Sequence, residues 1–146
     1  MRIYVATKFT NMQRASVVMR ELEKAGHTIT HDWTVPEHNT RSRIQCATDD
    51  LEGVKSADAV VLLRVDGMRG AWIEVGAALA QKKLVIVLDY DGEPVFLELP
   101  QVYKAKSIED VIRELASTVK PKKHHPTRDE LPFGGCAQGW CSYCWP

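Results

Sequence analysis

Apolar positions along this chain follow two alternating rhythms. Arg2–Ala6 is a short apolar run suited to a first strand, and the polar residues 7–11 suit a strand-to-helix turn with Asn11 as N-cap. Ala15, Val18, Met19, Leu22 and Ala25 then recur at the three- and four-residue spacing of one helix face, with Gly26 as the expected stop. A second, more polar strand is expected over residues 27–33, a loop over Pro36–Thr40, and a second helix over about 41–54. In that helix Ile44, Ala47, Leu51 and Val54 share a face, Asp50 sits on its border, and Asp49 points away. Ala59–Leu63 and Leu84–Leu88 are continuous apolar runs, the pattern of parallel strands covered on both faces. Gly70–Ala80 between them reads as a glycine turn leading into a helix. A weaker strand near Val102 and Tyr103 and a helix over about 107–119 complete the series.

Strict alternation of strand and helix predicts a doubly wound, five-stranded parallel α/β sheet of Rossmann-like type. Ligands in such sheets bind beyond the carboxyl ends of the strands, where the strand order reverses, here between the first and third strands. The loop holding Thr7, Lys8 and Thr10 and the turn leading to Glu74 face that crevice, with Tyr4 near the end of the first strand. Glu74 falls near a helix start, where free N–H groups and the helix dipole favour a negative charge, so its carboxylate is expected to be ionised.

Length and composition add bounds. The 146 residues, 45% hydrophobic and 26% charged, suit one ordinary domain. Prolines and like charges over 120–126 break the helical series, so the domain is expected to span 1–119 and a linker with an irregular Cys- and aromatic-rich tail 120–146. Nineteen basic and nineteen acidic residues leave no net field to gather polyanions, which argues against nucleic acid and membrane partners and for a small ligand. The first residues lack a signal-peptide core and no apolar run approaches the ~20 residues that cross a bilayer, so a cytoplasmic protein with reduced thiols is expected. Cys136, Cys141 and Cys144, with His125 upstream, offer donors enough for a tetrahedral zinc. Their spacing matches no named zinc motif, and thiols in a tail docked through Trp140, Tyr143 and Trp145 are the stronger expectation. No other metal and no cofactor is expected.

Four stretches in order carry a family resemblance: Ile3-Tyr4-Val5-Ala6 with Phe9 and Arg14; Asp49-Asp50-Leu51; Ser56-Ala57-Asp58-Ala59-Val60-Val61; and Gly70-Ala71-Trp72-Ile73-Glu74-Val75-Gly76-Ala77-Ala78. Over roughly residues 2–119 the chain resembles nucleoside 2-deoxyribosyltransferases and the related nucleoside-monophosphate N-glycosidases. The resemblance implies a flavodoxin-like fold, Glu74 as nucleophile on the anomeric carbon, Tyr4 hydrogen-bonded to it, and Asp50 contacting the base or supplying its proton. It also implies a homodimer or higher homo-oligomer, because members of the family complete their sites with a neighbour.

The chemistry is consistent with that reading. Cleaving an N-glycosidic bond builds positive charge on the sugar, and a nucleophilic carboxylate plus a proton source answers it, by analogy with glycoside hydrolysis. The glycosyl-enzyme is then resolved by water or by a second base, giving hydrolysis or transfer. Thr7, Phe9 and Gly70 would line the substrate site, and His31, Asp32 and Trp33 the base pocket. Transferases acting on free nucleosides carry acidic residues where Met68 and Arg69 stand here. Lys8, Arg14 and Arg69 instead suit a 5′-phosphate, so nucleoside and nucleotide both stay open. The alternative function is a non-catalytic nucleotide-binding or sensing module on the same fold; the glycine-flanked Glu74 favours the enzyme.

Overall fold

The apolar runs form five parallel strands, β1 (Arg2–Ala6), β2 (Thr28–Ile29), β3 (Ala59–Leu63), β4 (Leu84–Leu88) and β5 (Val102–Ala105), in the order β2-β1-β3-β4-β5. The helices are α1 (Met12–Lys24), α2 (Arg43–Ser56), α3 (Gly70–Ala80) and α4 (Ile108–Thr118). This computed structural model describes residues 1–90, 92 and 94–118. Residues 119–146 lie outside them, and with them His125, Cys136, Cys141, Cys144 and the tail aromatics. Among the described residues no helix is long and apolar enough to cross a membrane.

β1 and β3 pair with Tyr4 opposite Val60, and β3 and β4 with Val60 opposite Val85. All three strands are sealed between α1 and α4 on one side and α2 and α3 on the other, which is why they read as unbroken apolar runs. Helix α1 buries Ala15, Val18, Met19 and Leu22, as its spacing predicts. It ends in a Schellman motif: Gly26 has φ +86°, its N–H donates to the Glu23 carbonyl, and the His27 N–H donates to the Leu22 carbonyl. Asp58 ties β1 down by accepting from the Arg2 backbone N–H at 2.8 Å and the Arg2 guanidinium at 2.7 Å.

Three expectations need correction. Asn11 precedes α1 but makes no side-chain cap; its Nδ2 donates to Thr7 Oγ1 at 3.1 Å, because a short 3-10 turn at Phe9–Asn11 directs it back to the loop. Strand β2 is two residues long, not seven. The Thr30 N–H still donates to the Ile3 carbonyl, but Asp32 then accepts from the Thr34 N–H at 2.9 Å and turns the chain away from this sheet edge.

The third correction concerns α2, which starts later than expected behind a Ser42–Gln45 capping box. Its predicted core face is largely exposed: Ile44 is 80% exposed, Leu51 and Ala47 also face solvent, and only Val54 of the four is buried. The cause is Gly53, where a Cβ would lie 2.8 Å from His31 Cβ and 2.9 Å from the Tyr4 ring. The helix approaches the sheet at that point, and at ~100° per residue Ile44 lies half a turn away from it. Gly53→Ala should therefore cost about 1–2 kcal/mol, overpacking outweighing alanine's better helix propensity. A denaturant midpoint equal to or above wild type would show that α2 does not depend on this contact.

Candidate active site

A cavity of about 540 Å³ opens over the carboxyl ends of β1 and β3, where the strand order reverses. Strand β1 and the loop after it supply Tyr4, Thr7, Lys8 and Phe9; Trp33 and His38 come from the segment between β2 and α2. Asp50 enters from α2, and Arg69, Gly70 and Glu74 from the start of α3. Close packing at Gly53 sets α2 near enough to β1 for Asp50, less than a turn earlier, to meet Tyr4.

At the inner wall the Tyr4 hydroxyl stands between two carboxylates. It donates its proton to Asp50 Oδ1 at 3.1 Å. Glu74 is also close enough for a hydrogen bond from the hydroxyl to draw its pKa down. Burial, and then the charges of Glu74 and Asp50, push the phenol far above its ordinary value, so Tyr4 acts as a neutral donor. Burial also raises Asp50, against the opposing pull of the Tyr4 bond and of His31 and His38. His31 Nε2 lies 3.6 Å from Asp50 Oδ1, and burial lowers the His31 pKa.

Glu74 departs from the expectation of a fully ionised carboxylate. Burial, followed by the Asp50 charge, raises its pKa to about 7. It is the fifth residue of α3, one turn beyond the free N–H groups at the helix start, so the dipole does not offset desolvation. The site thus holds two neighbouring carboxylates, each raised above its ordinary value chiefly by burial, whose titrations are linked.

The other expected site residues divide. Thr7 lines the cavity, but its hydroxyl donates to the Leu63 carbonyl at 2.8 Å, so it fixes the loop. Lys8 lies 3.4 Å from the Asp66 carbonyl, Phe9 is half exposed, and Arg69 and Gly70 are exposed on the cavity wall. Arg14 lies elsewhere, paired with Asp89 at 2.5 Å and not among the cavity's lining residues. Trp33 is part of the wall and its indole N–H donates to the Val5 carbonyl at 2.8 Å; Asp32 faces solvent.

His38, in the 3-10 turn Pro36–Thr40, lines the cavity and was not singled out by the sequence, since a loop has no periodicity to mark an inward residue. A larger groove of about 770 Å³ is walled by Trp72, Val75, Leu79, Phe96 and Leu97. It is apolar, with Arg64 its one charged residue among the described ones, and lacks the carboxylates of the smaller cavity.

A parallel sheet in the order β2-β1-β3-β4-β5, with its cleft between β1 and β3, has the flavodoxin-like α/β architecture. No protein-family model matches the chain, and no curated protein matches it in sequence. Solved structures do share its fold. The CMP N-glycosidase BcmB of Clostridium botulinum has a TM-score of 0.59 at 21% identity, covering 80% of this chain and 99% of that one. A 2-deoxyribosyltransferase from the psychrotolerant bacterium Bacillus psychrosaccharolyticus has a TM-score of 0.60 at 24% identity, covering 86% of this chain and 100% of that one. The flavodoxin-like expectation for the fold therefore holds.

Proposed function

We propose that this chain is an enzyme that cleaves the N-glycosidic bond of a nucleoside or its 5′-monophosphate, with Glu74 as nucleophile. The observation that carries the reading is the convergence of Glu74, Tyr4 and Asp50 in one cleft at the switch point of the sheet. The reading gains support from similarity in fold to a CMP N-glycosidase and a 2-deoxyribosyltransferase. In its ionised form Glu74 attacks the anomeric carbon while the bond to the base nitrogen breaks and Asp50 passes its proton to the departing base. Tyr4, a neutral donor, steadies the carboxylate that bears charge at each stage. Water or a second base, in either case giving its proton back to Asp50, then displaces Glu74 from the sugar.

The direct experiment is incubation with a panel of nucleosides and 5′-monophosphates, following free base by chromatography. Base release without an acceptor marks a hydrolase, and release only with an acceptor base marks a transferase. Ligand binding with no turnover of any of them would replace the enzyme by a binding module.

For the substrate, Lys8 and Arg69 on the cavity wall suit a 5′-phosphate, whereas Arg14 is engaged by Asp89. Monophosphates should outcompete nucleosides, and Lys8→Ala or Arg69→Ala should each erode that preference by about 10- to 100-fold, the worth of a charged hydrogen bond. Equal turnover of both substrate forms by wild type would remove the phosphate from the reading.

A homodimer is also proposed. Ile44 and Leu51 on α2 and Ile73 on α3 are large apolar side chains left in solvent, the kind of surface that a second copy covers. Light scattering should give at least twice the 16.4 kDa chain mass. A monomer at micromolar concentration would leave those residues without this explanation.

A further inference from the structure

Two histidines beside the cavity have no part in the mechanism above. His31 follows β2, His38 belongs to the turn Pro36–Thr40, and their rings lie 5.5 Å apart, tilted by 53°. One ring nitrogen of each and one carboxylate oxygen of Asp50 all lie within 4.8 Å of one another. His38 is only 8% exposed, and its Nδ1 is buried without a hydrogen-bond partner, as is Nε2 of His31. Buried imidazole nitrogens are normally satisfied, so a three-residue cluster of possible ligands in which each imidazole keeps an unpartnered nitrogen points to an occupant.

We propose that His31, His38 and Asp50 form a binding site for a divalent transition-metal ion of the zinc class. Two imidazole nitrogens and one carboxylate oxygen select borderline cations over magnesium or calcium, and three protein ligands leave a fourth position open. Donors around a tetrahedral zinc stand roughly 3.4 Å apart for bonds of about 2.1 Å, so modest side-chain rotations bring these atoms to ligand distance. The Tyr4 hydroxyl, bonded to Asp50 Oδ1, is the outer partner that orients a metal-binding carboxylate.

The ion would fasten the segment between β2 and α2 to the helix that walls the cavity. It does not rest on the N-glycosidic reading. Proton delivery by Asp50 and metal ligation by Asp50 are alternatives, so the test is read without turnover.

The test uses the full chain carrying Cys136→Ser, Cys141→Ser and Cys144→Ser, which removes the tail thiols. Zn²⁺ titrated by calorimetry should bind saturably with one equivalent at this site. Co²⁺ should give visible d–d bands without a sulfur-to-cobalt charge-transfer band. Ring ¹⁵N resonances of His31 and His38 should shift on Zn²⁺ addition, a readout that needs no substitution in the site. His31→Gln and His38→Gln, each confirmed folded by circular dichroism, should abolish saturable binding, and Tyr4→Phe should weaken it about tenfold. Absence of saturable binding, ring resonances that ignore Zn²⁺, or binding untouched by both histidine variants would overturn the site.

Discussion

Glu74→Gln should yield a folded protein whose base release falls by roughly 10⁴-fold or more, the loss seen when a covalent catalyst is deprived of its attacking group. The substitution keeps size and shape and leaves the buried strands untouched. It should also relieve a burden. A carboxyl whose folded-state pKa is about 7 against an ordinary 4.5 binds its proton more tightly in the folded protein than in the unfolded chain. Its contribution to stability therefore declines as pH rises from 4.5 to about 7 and stays low above that. The amide has no such dependence, so the variant should unfold no earlier than wild type at pH 8. With wild type, a 2′-fluoro substrate analogue should slow breakdown of the intermediate and leave a pentosyl adduct on the peptide carrying Glu74. Wild-type turnover by soluble, folded Glu74→Gln would end the covalent mechanism.

The parts of this molecule that are legible in the sequence are those governed by local rules. Val60 to Leu63 and Val85 to Leu88 are buried on both faces, and a strand in that position has no polar side to show. Gly26 ends α1 as its place in the sequence predicts, because its left-handed backbone is a property of the residue itself. The crevice follows from the strand order, and with it the meeting of Tyr4, Asp50 and Glu74, residues distant in sequence that the topology brings to one edge.

What stays hidden depends on packing between elements. Ile44 and Leu51 have the spacing of a core stripe, yet the α2 face that meets the sheet is fixed by the missing side chain of Gly53 against Tyr4 and His31. No periodicity records such an approach. The ionisation of Glu74 is illegible for a related reason. Desolvation and the proximity of Asp50 are properties of the assembled cleft, whereas the helix dipole is a property of one segment. Arg14 illustrates the same limit: its sequence neighbourhood suggests the crevice, but Asp89, at the end of β4 with φ +64°, holds it on the outside.

Asp50→Asn should give the second large effect, a loss of about 10²- to 10⁴-fold with bases that leave poorly and much less with activated ones, because the amide cannot donate the proton that the departing nitrogen needs. The pH profile distinguishes this role from a structural one. In wild type the productive form has Glu74 ionised and the proton on Asp50, so kcat/KM measured with chelator present should be bell-shaped, with apparent pKa values that belong to the pair. The Asp50 charge is one cause of the raised Glu74 pKa, second to burial. Removing that charge lowers the Glu74 pKa from about 7 towards, but not to, 4.5, since burial still disfavours the anion. The variant should accordingly keep one limb only, an acid limb set by Glu74 ionisation between 4.5 and about 7. Its alkaline limb should vanish, because a side-chain amide in place of the carboxyl does not titrate. If Asp50→Asn kept both limbs in place and slowed all leaving bases equally, Asp50 would be a residue that shapes the pocket, and the proton for the leaving base would have to come from another group.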